Sequence, residues 1–357
     1  MSKTEQDETT PRKAWTYRDS GVDIDAQDQA LSRIKEFVKS TRTSGVLSDL
    51  GSFGGLFSPD LSGMEQPVLV SSADGVGTKL QVAFRTGRHD SCGRDLVQHC
   101  VNDILVQGAR PLFFLDYVAT GVLEPAVLAA VVEGVAGGCR DAGCALLGGE
   151  TAEMPGFYKD GEYDVAGFIV GIADRGKILD GSAVREGDVL LGLPSAGLHT
   201  NGYSLARKIF FDVTGHDVDD AVAGLDETVG DILLAPHLCY LKPLTPLLDA
   251  DRIHGLAHIT GGGLTDNVPR VLGDGLGVEI QLGSWPVLPV FRYIQEHGNV
   301  PTDDMYRTFN MGIGMVVICG ADDLARVQSH LDQVGQAHHT IGRVIRGDGQ
   351  VRYVDGA

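Results

Sequence analysis

The stretch Val68-Leu69-Val70-Ser71-Ser72-Ala73-Asp74-Gly75-Val76-Gly77-Thr78-Lys79 joins an apolar run to a glycine-rich turn. The apolar run predicts a buried strand, which delivers a carboxylate, two glycines, a hydroxyl and an ammonium into one tight loop. Glycine lets backbone N–H groups approach an oxyanion closely, and Lys79 can neutralise a phosphate. Asp74 can hold a divalent cation on the same phosphates. The loop lacks the Walker spacing, so an ordinary strand-to-helix turn with a solvated lysine is the alternative.

Composition places the chain among compact, glycine-rich proteins of mixed α/β type. It has 357 residues, of which 43% are hydrophobic and 48 are glycine. A chain of this length typically forms two domains. The formal net charge of −19 argues against nonspecific binding to nucleic acid or to an anionic membrane. No window offers about 18 consecutive apolar residues, so we predict no membrane span.

The start of the chain and its cysteines predict the compartment. Residues 1–14 are mostly polar, without the apolar core of a secretory signal, and we expect a disordered lead there. Six cysteines are scattered along the chain without CxxC spacing. The spacing of Cys139 and Cys144 is poor for a zinc knuckle. We therefore expect reduced, mostly structural thiols in a cytoplasmic enzyme.

Helical periodicity and apolar runs alternate along the chain in two groups. The first group contains a helix over 26–41, with Asp25 as its expected N-cap, helices over 77–87, 93–107 and 124–142, and strands over 67–70, 111–118, 145–147 and 164–173. The second group contains strands over 189–193, 277–282, 313–319 and 339–345, and helices from about 204 and over 236–249, 264–271, 286–297 and 321–334. The fold class is therefore α/β, with two mixed domains over 15–174 and 175–350 rather than one Rossmann sheet.

The predicted helix over 93–107 carries several polar residues on an otherwise apolar element. Asp95, His99 and Asn102 share one stripe at helical periodicity. Asp95 and Asp103 are about 12 Å apart along a continuous helix, so only one of them can join Asp74 at a metal ion. Asp95 lies near the helix start, where a carboxylate is stabilised by the dipole alone. We therefore predict Asp103 as the partner of Asp74 and keep Asp95 as the second choice.

Three further glycine-containing segments are candidates for ligand loops. After a predicted strand, residues 148–156 combine glycines with Glu150, which could bind metal or a substrate amine, although a surface turn is the alternative. His199 and Asn201 precede a predicted helix, and His258 precedes residues 260–263, Thr-Gly-Gly-Gly, in the same way. Helix N-termini bind phosphate readily, so two such loops in one domain favour an anionic ligand over two tight turns. His258 could position a carbonyl or transfer a proton, whereas a lone loop histidine is more often solvated.

The ordered motifs resemble the phosphoribosylformylglycinamidine cyclo-ligase family, also called aminoimidazole ribonucleotide synthetases. The resemblance runs from Tyr17 to about residue 345 and rests on motifs that occur in the family's order. They are DGVGTK, CVNDILVQGA, PLFFLDY, GGETAEMPG, HTNGYSL and HITGGG. Small departures are Ser20 in place of alanine, Ser52 between the usual paired glycines, and Asp266 in place of glutamate.

The resemblance implies a two-domain fold whose N-terminal domains pair in a homodimer, with nucleotide near that interface. It implies ATP and Mg²⁺ as cofactors and formylglycinamidine ribonucleotide as the substrate. The implied reaction is ATP-dependent closure of the imidazole ring in de novo purine biosynthesis. Within the same superfamily, formylglycinamidine ribonucleotide synthetase and selenophosphate synthetase are alternatives. A catalytically silent nucleotide-binding subunit is an alternative of another class.

The resemblance also assigns roles to positions of this sequence. Asp74 and Asp103 would hold the metal, while Lys79, His258 and Glu150 would be catalytic. The implied nucleotide contacts are Lys35, Gly51, Phe53, Gly54, Gly55, Asp74, Gly75, Gly77, Thr78, Lys79, Asp95, Asn102 and Asp103. The implied contacts with substrate or phosphate are His199, Asn201, Thr260, Gly261, Gly262 and Gly263.

Overall fold

A computed structural model describes residues 14–22, 24–49 and 51–356. Except for Ala14, the predicted disordered lead therefore lies outside the described residues. The described chain forms two separate mixed sheets, one built from strands between residues 67 and 174 and the other from strands between residues 189 and 355. Within the described part of the chain, no helix combines the length and the apolar character needed to cross a membrane.

The first sheet has the strand order β1-β4-β2-β3, with β1 at an edge. Its strands are Pro67–Gly75 (β1), Arg110–Thr120 (β2), Ala145–Glu153 (β3) and Tyr163–Asp174 (β4). Strand β4 pairs antiparallel with β1 and β2, whereas β2 and β3 run parallel. The helices of this half are Ile24–Lys39 (α1), Leu80–Thr86 (α2), Asp90–Leu105 (α3) and Pro125–Ala142 (α4).

Helices α3 and α4 cover one face of this sheet and approach each other unusually closely. A side chain on Gly93 of α3 would overlap the backbone of Val131, and one on Gly134 of α4 would overlap the backbone of Asp90. Glycine at both positions lets the two helix backbones pack almost in contact. Phe114 and Ile169 from the sheet are fully buried on this face. The opposite face stays open, with Leu69 66% and Phe168 45% exposed.

The second sheet has the order β10-β7-β9-β5-β8-β6. Its strands are Val189–Pro194 (β5), Gly255–His258 (β6), Leu276–Leu282 (β7), Ile313–Cys319 (β8), His339–Arg346 (β9) and Val351–Asp355 (β10). The helices of this half are Tyr203–Arg207 (α5), Val229–Leu233 (α6), Leu241–Asp249 (α7), Gly263–Asn267 (α8), Pro289–Gly298 (α9), Thr302–Thr308 (α10) and Leu324–Gln333 (α11). Every residue of β8 is buried, as its uninterrupted apolar sequence predicts.

The observed elements differ from the predicted ones in several places. Strand β3 continues to Glu153 instead of ending near residue 147, because its glycine-rich segment pairs in register with β2. Glu150 therefore lies within a strand and not in a loop. His258 is the last residue of a strand that sequence reasoning missed, as it missed β10 and α10. Asp25 lies inside the first turn of α1 and is not its N-cap.

Candidate functional site

Two aspartates and a histidine form the centre of the candidate site. Asp74 lies near the end of β1, and α3 carries His99 and Asp103 one turn apart. His99 Nε2 lies 2.8 Å from Asp74 Oδ2 and 3.9 Å from Asp103 Oδ2. Ser72, also on β1, donates its hydroxyl to Asp103 at 3.0 Å. The strand and the helix thus bring the two predicted metal ligands to the same nitrogen, Nε2, of one imidazole.

The electrostatics of this centre keep both carboxylates charged. Burial favours the neutral acid, but the hydrogen bond and charge of His99 outweigh it and lower the pKa of Asp74. In the same way, the contact with His258 outweighs burial and lowers the pKa of Asp103. Burial opposes charge on His99 too, yet its hydrogen bond to Asp74 and the nearby Asp103 charge raise its pKa. Anionic oxygens that remain partly exposed are suitable ligands for a hard divalent cation.

Three histidines from the second half of the chain complete the cluster. His258 Nδ1 lies 2.8 Å from Asp103 Oδ1, and its Nε2 lies 3.0 Å from Nε2 of His237. The His237 ring stacks on that of His199, with centroids 4.1 Å apart. Burial lowers the pKa of each of these three imidazoles, so they stay neutral. His199 is fully buried with φ of 62°, and its Nδ1 has no hydrogen-bond partner.

A second set of polar residues joins the two halves beneath this cluster. Lys79 and Asp95 form an ion pair of 2.6 Å in which both side chains are 0% exposed. The Lys79 ammonium also donates to the carbonyls of His199 and Ala235, at 3.1 and 2.7 Å. Asp95 accepts from the backbone N–H of His237 at 2.7 Å. Although burial opposes it, the Asp95 charge raises the pKa of Lys79 and holds it as a cation.

Asn102, further along α3, also connects the two halves through hydrogen bonds. Its side chain donates to the carbonyl of Leu238 at 2.8 Å and accepts from the N–H of Tyr240 at 3.0 Å. Lys79, Asp95 and Asn102, which are predicted as nucleotide contacts, therefore lie at the junction between the two halves in this structure. Their polar atoms are buried and bonded to the other half of the chain, so none of them faces a cleft.

Lys35 and the predicted loop residues Gly51, Phe53, Gly54 and Gly55 line a separate cleft of about 640 Å³. The predicted contacts Gly75, Gly77 and Thr78 are not among the residues that line it. It contains Lys35 from α1, the loop over residues 51–55 and Glu150 from β3. Asp116 of β2 also lines it, opposite Gly149, where the absence of a Cβ leaves room for the carboxyl group. Burial raises the pKa of Asp116 to about 7. The structure thus groups Glu150 with these residues, while His258 lies beside α3.

The two predicted phosphate loops meet each other in the second half. A Cβ atom on Gly261 would lie 3.2 Å from Oδ1 of Asn201, so the loop over 199–202 touches the loop over 260–263. Gly262 and Gly263 have φ of 101° and 58°, which explains the run of glycines. Asn267 donates to the carbonyls of Thr260, Gly261 and Gly263 and holds this turn together. From the first half, the Thr78 hydroxyl reaches Ser204 at 3.2 Å.

Sequence reasoning therefore located much of the cluster but missed several members. His99 was noticed only as part of a helical stripe. Thr200, His237, Ser72 and Asp116 were not singled out. Thr200 lies inside a recognised motif, whereas His237 follows a proline in an unremarkable segment and gives no local signal. Their proximity depends on how the two halves pack.

Two family models cover most of the chain. AIR synthase related protein, N-terminal domain, matches residues 61–173, and the C-terminal domain of the same description matches residues 185–355. Curated relatives named phosphoribosylformylglycinamidine cyclo-ligase include one from Geobacter metallireducens (strain ATCC 53774 / DSM 7210 / GS-15) and one from Alkaliphilus metalliredigens (strain QYMF). The first is 54% identical over 334 residues, which are 94% of this chain and 96% of the relative. The second is 49% identical over 336 residues, 94% and 97% of the two chains.

The chain belongs to the phosphoribosylformylglycinamidine cyclo-ligase family. Solved structures of other proteins share its fold. Thiamine-monophosphate kinase from Stenotrophomonas maltophilia K279a superposes with a TM-score of 0.67 at 18% identity, covering 91% of this chain and 95% of the other. Hydrogenase maturation protein HypE in complex with ATP superposes with a TM-score of 0.66 at 18% identity, covering 92% and 91%. The predicted family and fold class are thereby confirmed.

The buried pair between Lys79 and Asp95 yields a stability prediction. Lys79→Met leaves a buried carboxylate without its counter-ion, so we expect the free energy of unfolding to fall by about 3–5 kcal/mol. The double variant Lys79→Met/Asp95→Leu removes both charges and should recover part of that loss, because the N–H of His237 and the carbonyls of His199 and Ala235 still lose their partners. Urea unfolding followed by circular dichroism measures both.

A surface pair provides the matched control. Lys39 and Glu36 are 2.8 Å apart, close to the 2.6 Å of the buried pair, but both side chains are exposed. Lys39→Met should change the free energy of unfolding by no more than about 0.5 kcal/mol. An equally small effect of Lys79→Met would contradict the proposed role of the buried pair in joining the two halves.

Proposed function

We infer that this chain closes the imidazole ring of 5-aminoimidazole ribonucleotide in de novo purine biosynthesis. The reaction consumes formylglycinamidine ribonucleotide and ATP and yields ADP and phosphate. The observation that carries this conclusion is the 54% identity over 94% of the chain to a relative named phosphoribosylformylglycinamidine cyclo-ligase. Two anionic carboxylates beside a cluster of neutral imidazoles give this chain the groups that phosphoryl transfer and proton movement require.

The chemistry explains why the reaction uses ATP. An amide oxygen is a poor leaving group, and its phosphorylation turns it into phosphate. The amidine nitrogen then attacks the activated formyl carbon, and the carbon–oxygen bond breaks as phosphate leaves. The protein needs no covalent nucleophile for these steps. Its task is to position the reacting atoms and to stabilise the charge that develops between them.

Asp74 and Asp103 are the residues we propose for Mg²⁺. Both stay ionised, and both keep part of their side chain exposed. Partly exposed carboxylate oxygens suit Mg²⁺, which keeps several of its waters and binds through one or two carboxylates plus phosphates. Bound there, the ion would neutralise phosphate charge. The imidazoles of His99 and His258 hold the carboxylates in place, and His258 is our candidate for proton transfer.

The cleft around Lys35 and residues 51–55 is our proposed site for the nucleotide base and ribose. It lies on the same sheet as Asp74, because Asp74, Gly167, Asp116 and Gly149 form one row across four strands. Three strand spacings separate the ends of that row, about 14 Å. An extended nucleoside triphosphate can bridge such a distance, with its phosphates toward Asp74. Glu150, beside Lys35, then contributes to nucleotide binding more directly than to proton transfer.

The second half of the chain would hold the ribonucleotide substrate. Asn201, Thr260 and Gly261 are the accessible polar groups where the two loops meet. His199 is fully buried, so we propose that it supports this region from beneath instead of contacting phosphate. The free state of the six cysteines supports a cytoplasmic location as part of the same proposal.

A homodimer formed through the first sheet completes the proposal. The open face of that sheet exposes Leu69 and Phe168, and the cleft reaches this face at Phe168 and Leu115. Apolar side chains grouped on an open sheet face are typical of a protein interface. A second copy of the chain packed on this open face would border the nucleotide cleft. Formation of the dimer would then affect nucleotide binding.

Activity can be tested directly with the purified chain. With formylglycinamidine ribonucleotide, ATP and Mg²⁺, it should form ADP and an aminoimidazole in equal amounts. Asp74→Asn and Asp103→Asn should each lower kcat at least about a hundredfold, the scale expected for losing a strong electrostatic contact at the reacting phosphate. Asp348→Asn, at an exposed position in the second half, should leave kcat unchanged.

The same assay separates the alternatives. ADP release only with the substrate of another ATP-dependent enzyme of this fold would reassign the chain. Nucleotide binding without turnover on any of these substrates would identify a silent subunit. Near-normal turnover by both aspartate variants would refute the proposed metal ligands while leaving the cyclo-ligase assignment intact.

The dimer proposal predicts the effect of a charge on the open face. Leu69→Lys places an ammonium in the middle of the proposed apolar contact, so light scattering at micromolar concentration should show a monomer where the wild type is a dimer. Val213→Lys changes a comparably exposed residue, 57% exposed, in the second half and should leave the mass unchanged. A dimeric Leu69→Lys variant would place any interface elsewhere.

A further inference from the structure

Thr200 lies between histidines of the two halves of the chain. It was given no role in the sequence analysis. It is 7% exposed and comes from the segment that precedes α5. Its hydroxyl oxygen lies 2.7 Å from Nδ1 of His99 and 3.4 Å from Nδ1 of His237. The side-chain amide of Asn201 also donates to it, at 3.4 Å. One hydroxyl therefore contacts imidazoles from both halves of the chain.

The hydrogen bonds on the His237 side have one consistent direction when His237 and His258 each carry a single ring hydrogen. The Asp103 carboxylate accepts, so His258 must carry its proton on Nδ1. A neutral His258 then accepts at Nε2, and the 3.0 Å contact requires that His237 donate from its own Nε2. The Nδ1 of a neutral His237 is left as an acceptor. Thr200 is the donor placed to satisfy it.

The hydrogen bonds on the His99 side complete the pattern. A hydroxyl has one hydrogen and two acceptor lone pairs. With the hydrogen of Thr200 on His237, its lone pairs accept from Asn201 and from the Nδ1–H of His99, which then carries a hydrogen on both ring nitrogens. His99 in turn donates from Nε2 to Asp74. A continuous series of bonds thus links Asp74 to Asp103 through a single threonine.

We propose that Thr200 is a positioning residue that sets the orientation of His99 and His237 and, through them, of the two carboxylates. It touches neither carboxylate itself, so it acts only through the imidazoles. A valine of the same shape would fill the space but provide neither the donor nor the acceptors. Two buried nitrogens would then lose a partner, and both rings would be free to turn. The inference rests on the proposed function only for its effect on turnover.

Paired substitutions separate the hydroxyl from its volume. Thr200→Val should lower kcat by about 10- to 100-fold, the range for losing a group that orients ligands of a metal site, while KM for both substrates stays within about threefold. Thr200→Ser restores the hydroxyl and should return kcat to within about threefold of wild type. An unchanged kcat in Thr200→Val, or a Thr200→Ser variant as slow as Thr200→Val, would overturn the proposal.

Thr120 offers a matched control for the general effect of losing a buried hydroxyl. It is also 7% exposed, and its hydroxyl donates to two backbone carbonyls, of Val122 and Glu162, at 2.8 and 3.2 Å. Thr120→Val should alter thermal stability without altering kcat. A loss of kcat equal to that of Thr200→Val would show that reduced stability, and not ring orientation, is responsible.

A spectroscopic measurement tests the direction of the bonds without any reaction. In the full chain with nitrogen-15-labelled histidine, long-range proton–nitrogen correlation spectra report which ring nitrogen carries the hydrogen. His237→Asn and His258→Asn variants assign the two signals. We expect His237 to be protonated on Nε2 and His258 on Nδ1. The opposite tautomer at either ring would overturn the inference, even if cyclo-ligase activity is found; the expected tautomers would support it even if that activity is absent.

Discussion

The buried ion pair between Lys79 and Asp95 is the constraint on which the arrangement of the site depends. Isolated charges inside a protein are strongly unfavourable, so each of these residues requires the other. The lysine also bonds to carbonyls from the second half, and the aspartate bonds to a backbone N–H there. A different packing of the two halves would therefore leave buried polar groups of this pair and of the second half without hydrogen-bond partners. In the observed packing the histidines of the second half lie beside the carboxylates of the first.

This constraint changes the interpretation of the glycine-rich motif. An aspartate and a lysine in one short loop suggested two groups acting on the same phosphate. In the folded chain they diverge: Asp74 points to His99, and Lys79 turns inward to Asp95. The short helical turn over Gly77–Lys79 separates them. One motif thus supplies both Asp74, an ionised group for the proposed metal site, and Lys79, which bonds to the second half of the chain.

Local sequence predicted those features that depend on local geometry. The continuous helix over Asp90–Leu105 keeps Asp95 and Asp103 apart, as helical periodicity predicts. The extension of β3 was not predictable in this way, because pairing with β2 overrides the tendency of glycine to end a strand. His237 and Thr200 lie far apart in sequence from His99 and join it only when the halves pack. Such residues carry no local pattern, and their role appears only in three dimensions.

The close crossing of α3 and α4 at Gly93 and Gly134 has a consequence for the candidate site. Helix α3 bears groups that reach β1, the histidine cluster and the second half, so its axis has almost no freedom to shift. Any methyl group added at the crossing would push that axis outward and disturb every one of these contacts together. A side chain at either glycine would therefore damage the site from a distance, through the position of the helix that carries its residues.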